Sequence, residues 1–179
     1  MRAILRPHPD WPCEAVSGID VEVERPSPGR LALRYLIAAA RANLLIPPPA
    51  ERARTDHLWR HTCFEAFLRP SGTEAYAELN FAPSGQWAAY SFDRYRDAMR
   101  PAEVRPPAIA WTATPGGFEL TAEVELIGIA QGPWRLGLSA VIEGVDGRTA
   151  YWALAHPPGK ADFHRDEGFA LTLPGPISA

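Results

Sequence analysis

A chain of 179 residues, 46% hydrophobic and 22% charged, is long enough for one domain that buries about 70% of its unfolded surface. It needs no metal or disulfide staple, and wholesale disorder is excluded. A formal charge of −3, a pI near 6.0 and arginines scattered without a basic block exclude an electrostatic footprint for nucleic acid.

Met1 to Pro9 contains no apolar segment of the secretory type. The longest apolar stretch, Tyr35 to Ala40, is too short to span a bilayer and ends at Arg41. A cytoplasmic protein with no membrane partner is therefore expected. The two cysteines, Cys13 and Cys63, read as free thiols of a reducing compartment, with Cys63 a small buried hydrophobe inside a strand.

The periodicity along the chain is mostly two. Ile19 to Glu24 alternates as a strand with one dry face, and Arg30 to Ile37 pairs with it across the turn Pro26-Ser27-Pro28-Gly29. Ile46-Pro47-Pro48-Pro49 has to leave the sheet, because proline donates nothing to a ladder. Thr62–Leu68, Glu74–Ala82 and Gln86–Asp93 follow, separated by Pro/Ser/Gly turns, and predict a three-stranded antiparallel meander. Ala108–Thr114 and Gly117–Leu126 flank Pro115-Gly116. Trp134–Glu143 and Thr149–Ala155 flank the tight-turn signal Asp146-Gly147, and Phe169–Leu173 ends the series. Short helices are expected at Ala38–Asn43 and Leu126–Ala130. The sum is a single all-β domain over residues 1–179: a two-sheet antiparallel β-sandwich of about ten or eleven strands with little helix.

The densest chemistry lies between Asp56 and Tyr95. Alternation puts Cys63, Glu65 and Phe67 on one face of their strand and Phe64, Ala66 and Leu68 on the other. Glu65 thus sits among apolar neighbours, where a carboxylate is expensive unless paired or hydrogen-bonded. The next strand offers Tyr76, Glu78 and Asn80 at period two, and the third carries Trp87, Ala89 and Ser91 on one side and Ala88, Tyr90 and Phe92 on the other. Carboxylates and amides beside aromatic rings are what a sugar site needs: rings stack on sugar C–H faces and polar groups bind hydroxyls. The same pattern also describes a half-solvated outer face with aromatic cross-strand pairs. A second cluster, Trp152, His156, Asp162 and His164, spans a strand end and the following Pro-Pro-Gly loop, a common binding position, although Asp162 and His164 also suit turn caps.

His57 and His61 share a zinc-binding face only on a helix, and no glutamate completes a metalloprotease motif. Asp56, Glu65 and Glu78 offer oxygens for calcium without loop-like spacing. No nucleophile elbow, phosphate loop or CxxC is present, so no catalytic residue is assigned. Glu65 and Glu78 on adjacent strands could form a glycosidase-type carboxylate pair, and Glu65 with His156 or His164 an acid/base pair.

The run His57-Leu-Trp-Arg-His-Thr-Cys-Phe-Glu-Ala-Phe, then Tyr76-Ala-Glu-Leu-Asn-Phe-Ala-Pro-Ser-Gly-Gln-Trp-Ala-Ala-Tyr and Phe92-Asp-Arg-Tyr-Arg, resembles the bacterial DOMON-like domain proteins. His8-Pro9, Tyr151-Trp-Ala-Leu-Ala-His-Pro and Asp162-Phe-His164 extend the resemblance over nearly the whole chain. It implies kinship with family-nine carbohydrate-binding modules and DOMON domains, jelly-roll-like sandwiches that bind sugars in some members and haem in others. The sugar modules clamp a terminal sugar between two tryptophans, for which Trp59 and Trp152 are the nearest candidates, and Glu65 matches an acidic position entering a central strand. Haem-binding members use a methionine and a histidine; here the methionines are Met1 and the loop residue Met99, which disfavours haem. The expectation is a non-catalytic binding domain for a carbohydrate or similar small polar metabolite, requiring no cofactor. Its ligand residues are Trp59, Glu65, Glu78, Asn80, Trp87, Trp152, His156, Asp162 and His164. An acid/base enzyme, a haem binder and an interaction module working through a sheet edge are the alternatives.

Overall fold

Alternation of dry and wet side chains organises the first sheet. In β2 (Val16–Ser27) the buried positions are Val16, Ile19, Val21 and Val23, and in β3 (Arg30–Ala39) they are Leu31, Leu33, Tyr35 and Ile37. The opposite positions carry a ladder of charge, with Arg34 bonded to Glu22 at 3.0 Å and to Glu119 at 2.7 Å. This is how a sheet with one solvated face reads. The computed structural model describes residues 1–12, 14–129 and 132–175.

Twelve strands occur among these residues, all paired antiparallel. One layer holds β8 (Ala108–Thr114), β9 (Gly117–Glu125), β3, β2 and the first part of β1 (Arg2–Pro7). The other runs β7 (Arg100–Pro101), β6 (Trp87–Phe92), β5 (Tyr76–Phe81), β4 (Cys63–Pro70), β10 (Trp134–Glu143), β11 (Thr149–Ala153) and the end of β1, with β12 (Leu171–Leu173) beside β10. Strand β1 passes between the layers: Arg2–Leu5 pair with β2, whereas Arg6 and Pro7 face Ala153 and Trp152 of β11. The sheet is therefore curled on itself into a β-sandwich.

Every strand expected from the sequence is present, and β1 and the two-residue β7 are additional. Both are short and proline-bounded, with little alternation of their own; each forms because an existing edge offers partners. Of the two expected helices, the first survives only as a single 3-10 turn, and the second does not form over Leu126–Ile129. Strand β3 runs on to Ala39 and is followed by a single 3-10 turn at Arg41–Asn43. Leu126 is bridged to Val104, its neighbours to Ile129 are not helical, and Ala130 lies outside the described residues. No helix among the described residues is long and apolar enough to cross a membrane.

The inter-sheet core joins Leu5, Val21, Leu33 and Tyr35 of one layer to Phe64, Ala66, Leu68, Leu79 and Phe81 of the other. Tyr35 crosses this core and donates its hydroxyl proton to the backbone carbonyl of Glu65 at 2.7 Å. Cys63 is a buried free thiol, as expected for a small hydrophobe in β4, while Cys13 lies outside the described residues. Strand β4 is buried on both faces from Cys63 to Leu68. A second apolar cluster on its outer side, built from Leu58, Phe67, Tyr76, Tyr90, Phe92 and Phe169, is roofed by the chain that precedes β4, the loop after β6 and the loop after β11. That roof encloses the site.

Candidate functional site

A cavity of about 300 Å³ lies on this outer face, at the small end of the range for small-molecule sites. Its floor is laid by strand register. Glu65 stands opposite Asn80 on one side and Ser139 on the other, and Glu78 stands opposite Phe67 and Tyr90. The two glutamates are thus diagonal neighbours on one face. Trp59 rises from the 3-10 turn Leu58–Arg60, Arg96 and Met99 come from the loop after β6, Tyr151 comes from β11, and Asp162, Phe163 and His164 come from the loop after it.

Both acids are nearly out of water, Glu65 at 3% exposure and Glu78 at 6%. Ser139 donates to Glu65 Oε2 at 2.9 Å; no hydrogen bond reaches Oε1 from any described residue. Asn80 donates to Glu78 Oε1 at 2.7 Å, while Oε2 faces His164 Nε2 at 3.6 Å, beyond hydrogen-bond range. Burial and the neighbouring Glu78 charge push Glu65 up to about 8, against the opposing pull of Ser139 and Arg96. Burial also raises Glu78, opposed by Asn80 and Arg96.

His164 is held neutral. Burial and the Arg96 charge press it down to about 4, against the attraction of Asp162. The Tyr76 hydroxyl accepts the Arg96 backbone N–H at 3.2 Å and lies 2.7 Å from His164 Nδ1. The phenol and Nδ1 share one hydrogen bond, and Nε2 is the ring nitrogen turned to Glu78. Asp162 binds this wall together: it accepts from Tyr95 at 2.6 Å, from Arg96 at 2.9 Å and from the His164 backbone at 3.2 Å. Burial works against the Asp162 carboxylate, and these hydrogen bonds more than offset it, so its pKa is lowered.

Among the described residues the non-glycine positions with positive φ are His57 (65°), Arg96 (52°) and Ala98 (53°). All three lie in the segments that wall the cavity. Left-handed backbone outside glycine is held only where surrounding contacts over-determine it, and such positions concentrate at functional sites.

Of the residues singled out from sequence, Trp59, Glu65, Glu78, Asp162 and His164 line the cavity. Asn80, fully buried, lies beneath it and orients Glu78. Three fall elsewhere. Trp87 and Trp152 point into the inter-sheet core, because Trp87 pairs with Phe81 and Trp152 with Ala140, both core-facing. Arg54 stacks over the Trp87 ring at 4.6 Å and covers it further. Trp59 and Trp152 are therefore on opposite faces of the sheet and do not form a clamp. His156 donates to or accepts from no cavity group: its Nε2–H bonds the Arg6 carbonyl at 2.8 Å, its ring meets His8 edge-on, and it lies tilted at 6.4 Å from the Phe163 ring. The alternative of Glu65 with His156 or His164 as an acid/base pair is not met by the geometry, since His164 faces Glu78 and His156 bonds the Arg6 carbonyl.

Tyr90, Tyr151, Phe163 and Arg96 line the cavity without having been singled out. Tyr90 was recoverable. The three-residue loop Pro83-Ser84-Gly85, with Gly85 at φ 89°, returns the chain with Ala82 against Gln86 and hence Glu78 against Tyr90.

The residues do not fit haem. Both His164 nitrogens are turned to protein groups, and Met99 is 54% exposed at the rim. His57 and His61 flank the turn and diverge, His57 against Trp59 and His61 bonded to Glu143 at 2.9 Å. Among the described residues no three His, Cys, Asp or Glu converge as metal ligands.

No protein-family model matches this chain, and no curated protein matches it in sequence. Solved structures do. A protein of Bacteroides uniformis named for a carbohydrate-binding role superposes with a TM-score of 0.66 over 97% of this chain and 85% of its own, at 13% identity. The chain shares the fold of that protein. A family-nine carbohydrate-binding module from Caldicellulosiruptor kristjanssonii, in complex with cellotriose, superposes with a TM-score of 0.55 at 11% identity, covering 89% of this chain and 74% of the module.

Proposed function

We propose that this protein is a non-catalytic binding domain for a carbohydrate of one or two rings, held in the cavity between Trp59 and the loop Asp162–His164. The observation that carries the proposal is the pair of buried glutamates on the floor of a cavity walled by Trp59, Tyr90, Tyr151 and Phe163. Open carboxyl oxygens take hydroxyl protons, and aromatic faces take the apolar C–H surface of a sugar ring. The shared fold of the Bacteroides and Caldicellulosiruptor proteins supports the same reading. Membership of the bacterial DOMON-like group, carried by the motifs around Glu65 and Glu78, and residence in a reducing cytoplasm, in keeping with the free Cys63, belong to this proposal.

Thermal-shift and calorimetric titration against a panel of neutral hexoses and disaccharides tests it. A sugar present at about 100 times its Kd stabilises the folded state by about 2.7 kcal/mol. Trp59→Ala removes half-buried ring surface from the rim and is expected to abolish that shift, while also lowering the unliganded melting temperature because the ring packs on His57 and Tyr90. A panel without a single binder, with Trp59→Ala equally silent, defeats the proposal.

A further inference from the structure

Taking the carbohydrate reading as its basis, we propose that the ligand carries a protonated amine, seated on the cavity floor against Glu78 and Glu65 and beneath the rings of Trp59 and Tyr90.

The first ground is the charge of the cavity. Arg96 is committed to Asp162 at 2.9 Å, so this pair is neutral as a unit. His164 is an uncharged imidazole, pressed down to about 4 by burial and by the Arg96 charge. Tyr90 donates its hydroxyl to Asp56 at 2.6 Å, Asp56 is not among the residues that line the cavity, and phenols are uncharged at neutral pH. Two acids remain. They repel each other across the diagonal, and Glu65, raised to about 8, keeps its proton at neutral pH. Glu78, 6% exposed, is hydrogen-bonded to no charged group among the described residues, and the Arg96 charge reaches it only through space, against the burial that raises it. An amide from Asn80 and the uncharged edge of His164 face it.

The second ground is geometric. Glu65 Oε1 and Glu78 Oε2 are the open carboxyl oxygens, and both acids line the cavity. A hydroxyl would satisfy one oxygen and bring no charge to two buried acids. An ammonium group brings three donors and a positive charge to the same place. The walls favour a cation as well, since Trp59 and Tyr90 line the cavity and the face of an aromatic ring is the negative pole of its quadrupole. A ligand with an anionic group meets only Arg96, already engaged by Asp162.

Isothermal titration of the full chain with glucosamine, glucose and tetramethylammonium, at about pH 6.5 where sugar amines are charged, separates the possibilities. Glucosamine is expected to bind at least about tenfold more tightly than glucose, a difference of about 1.4 kcal/mol. Glu78→Gln is expected to erase that ratio whatever its effect on absolute affinity. The charge of tetramethylammonium does not titrate, so its pH profile reports the cavity alone. Its affinity is expected to fall as acid protonates Glu78 and to rise several-fold above about pH 8, where Glu65 loses its proton. Glucose binding as tightly as glucosamine overturns the amine and leaves the carbohydrate reading standing. Tetramethylammonium binding when neither sugar binds upholds the cation and overturns the carbohydrate. Silence of all three overturns both.

Discussion

Glu65 lies at the centre of β4 with Ser139 as its hydrogen-bond partner, and the fold responds to pH through it. An unfolded glutamate titrates near 4.3, whereas folded Glu65 titrates at about 8. Between those limits the native state holds a proton that the unfolded state has released. Stability therefore falls as pH rises through this window, with a slope approaching about 1.4 kcal/mol per pH unit for one fully linked proton. Glu65→Gln keeps the shape, needs no proton, and is expected to flatten that slope and to leave the protein more stable than wild type above about pH 8. Urea unfolding at a series of pH values measures both; an unchanged slope in the variant contradicts the assignment. Asp162 works with the opposite sign. Its lowered pKa stabilises the loop above the normal aspartate range and ceases to do so in acid. Legibility differed at this scale too. The alternation Cys63, Glu65, Phe67 was sufficient to place Glu65 among apolar neighbours. Nothing local announced that Arg96, 31 residues further along and in an irregular loop, would share its cavity.

At the scale of elements, the strands provide the floor and the irregular segments provide the walls, and the walls hold the left-handed residues. Ala98 at φ 53° pays the steric penalty of a Cβ in that region without a side chain that reaches the floor. Ala98→Gly is expected to raise stability by about 0.5 to 1 kcal/mol, read as a shift of the urea midpoint with an unchanged m-value. A destabilised variant would show that the loop is set by contacts of the alanine methyl group. The strands themselves were legible because their turns are strongly marked: Pro70-Ser71-Gly72, Pro83-Ser84-Gly85 and Asp146-Gly147 each sit where a hairpin or connection falls. The helix expectation at Leu126–Ala130 failed for a definite reason. A short apolar segment has no period of its own, and an available bridge to Val104 took Leu126.

For the molecule as a whole, the two layers share one core and one strand. Phe64 is fully buried between them, its ring 5.1 Å from that of Tyr35 and 5.8 Å from that of Trp111. Phe64→Ala is expected to cost about 3 to 5 kcal/mol. Because β1 pairs with both layers, the loss should appear as one cooperative transition at lower denaturant, with tryptophan fluorescence and far-ultraviolet circular dichroism coincident. Separate transitions would mean that the layers unfold independently.

The sequence by itself determined which side chains share a face within each strand, because period two is a property of the extended backbone and needs no partner. It therefore contained the β-sandwich, the grouping of Tyr76, Glu78 and Asn80, and the discomfort of Glu65. Which faces of different strands coincide was decided by register, and register depends on turns and on the partner strand. That is why Trp87 and Trp152 went to the core and Tyr90 and Tyr151 to the cavity. The roof over β4, and with it the burial that raises both Glu65 and Glu78, arose only when three distant loops closed on one sheet face. Such closure is set by long-range packing, which no local pattern encodes.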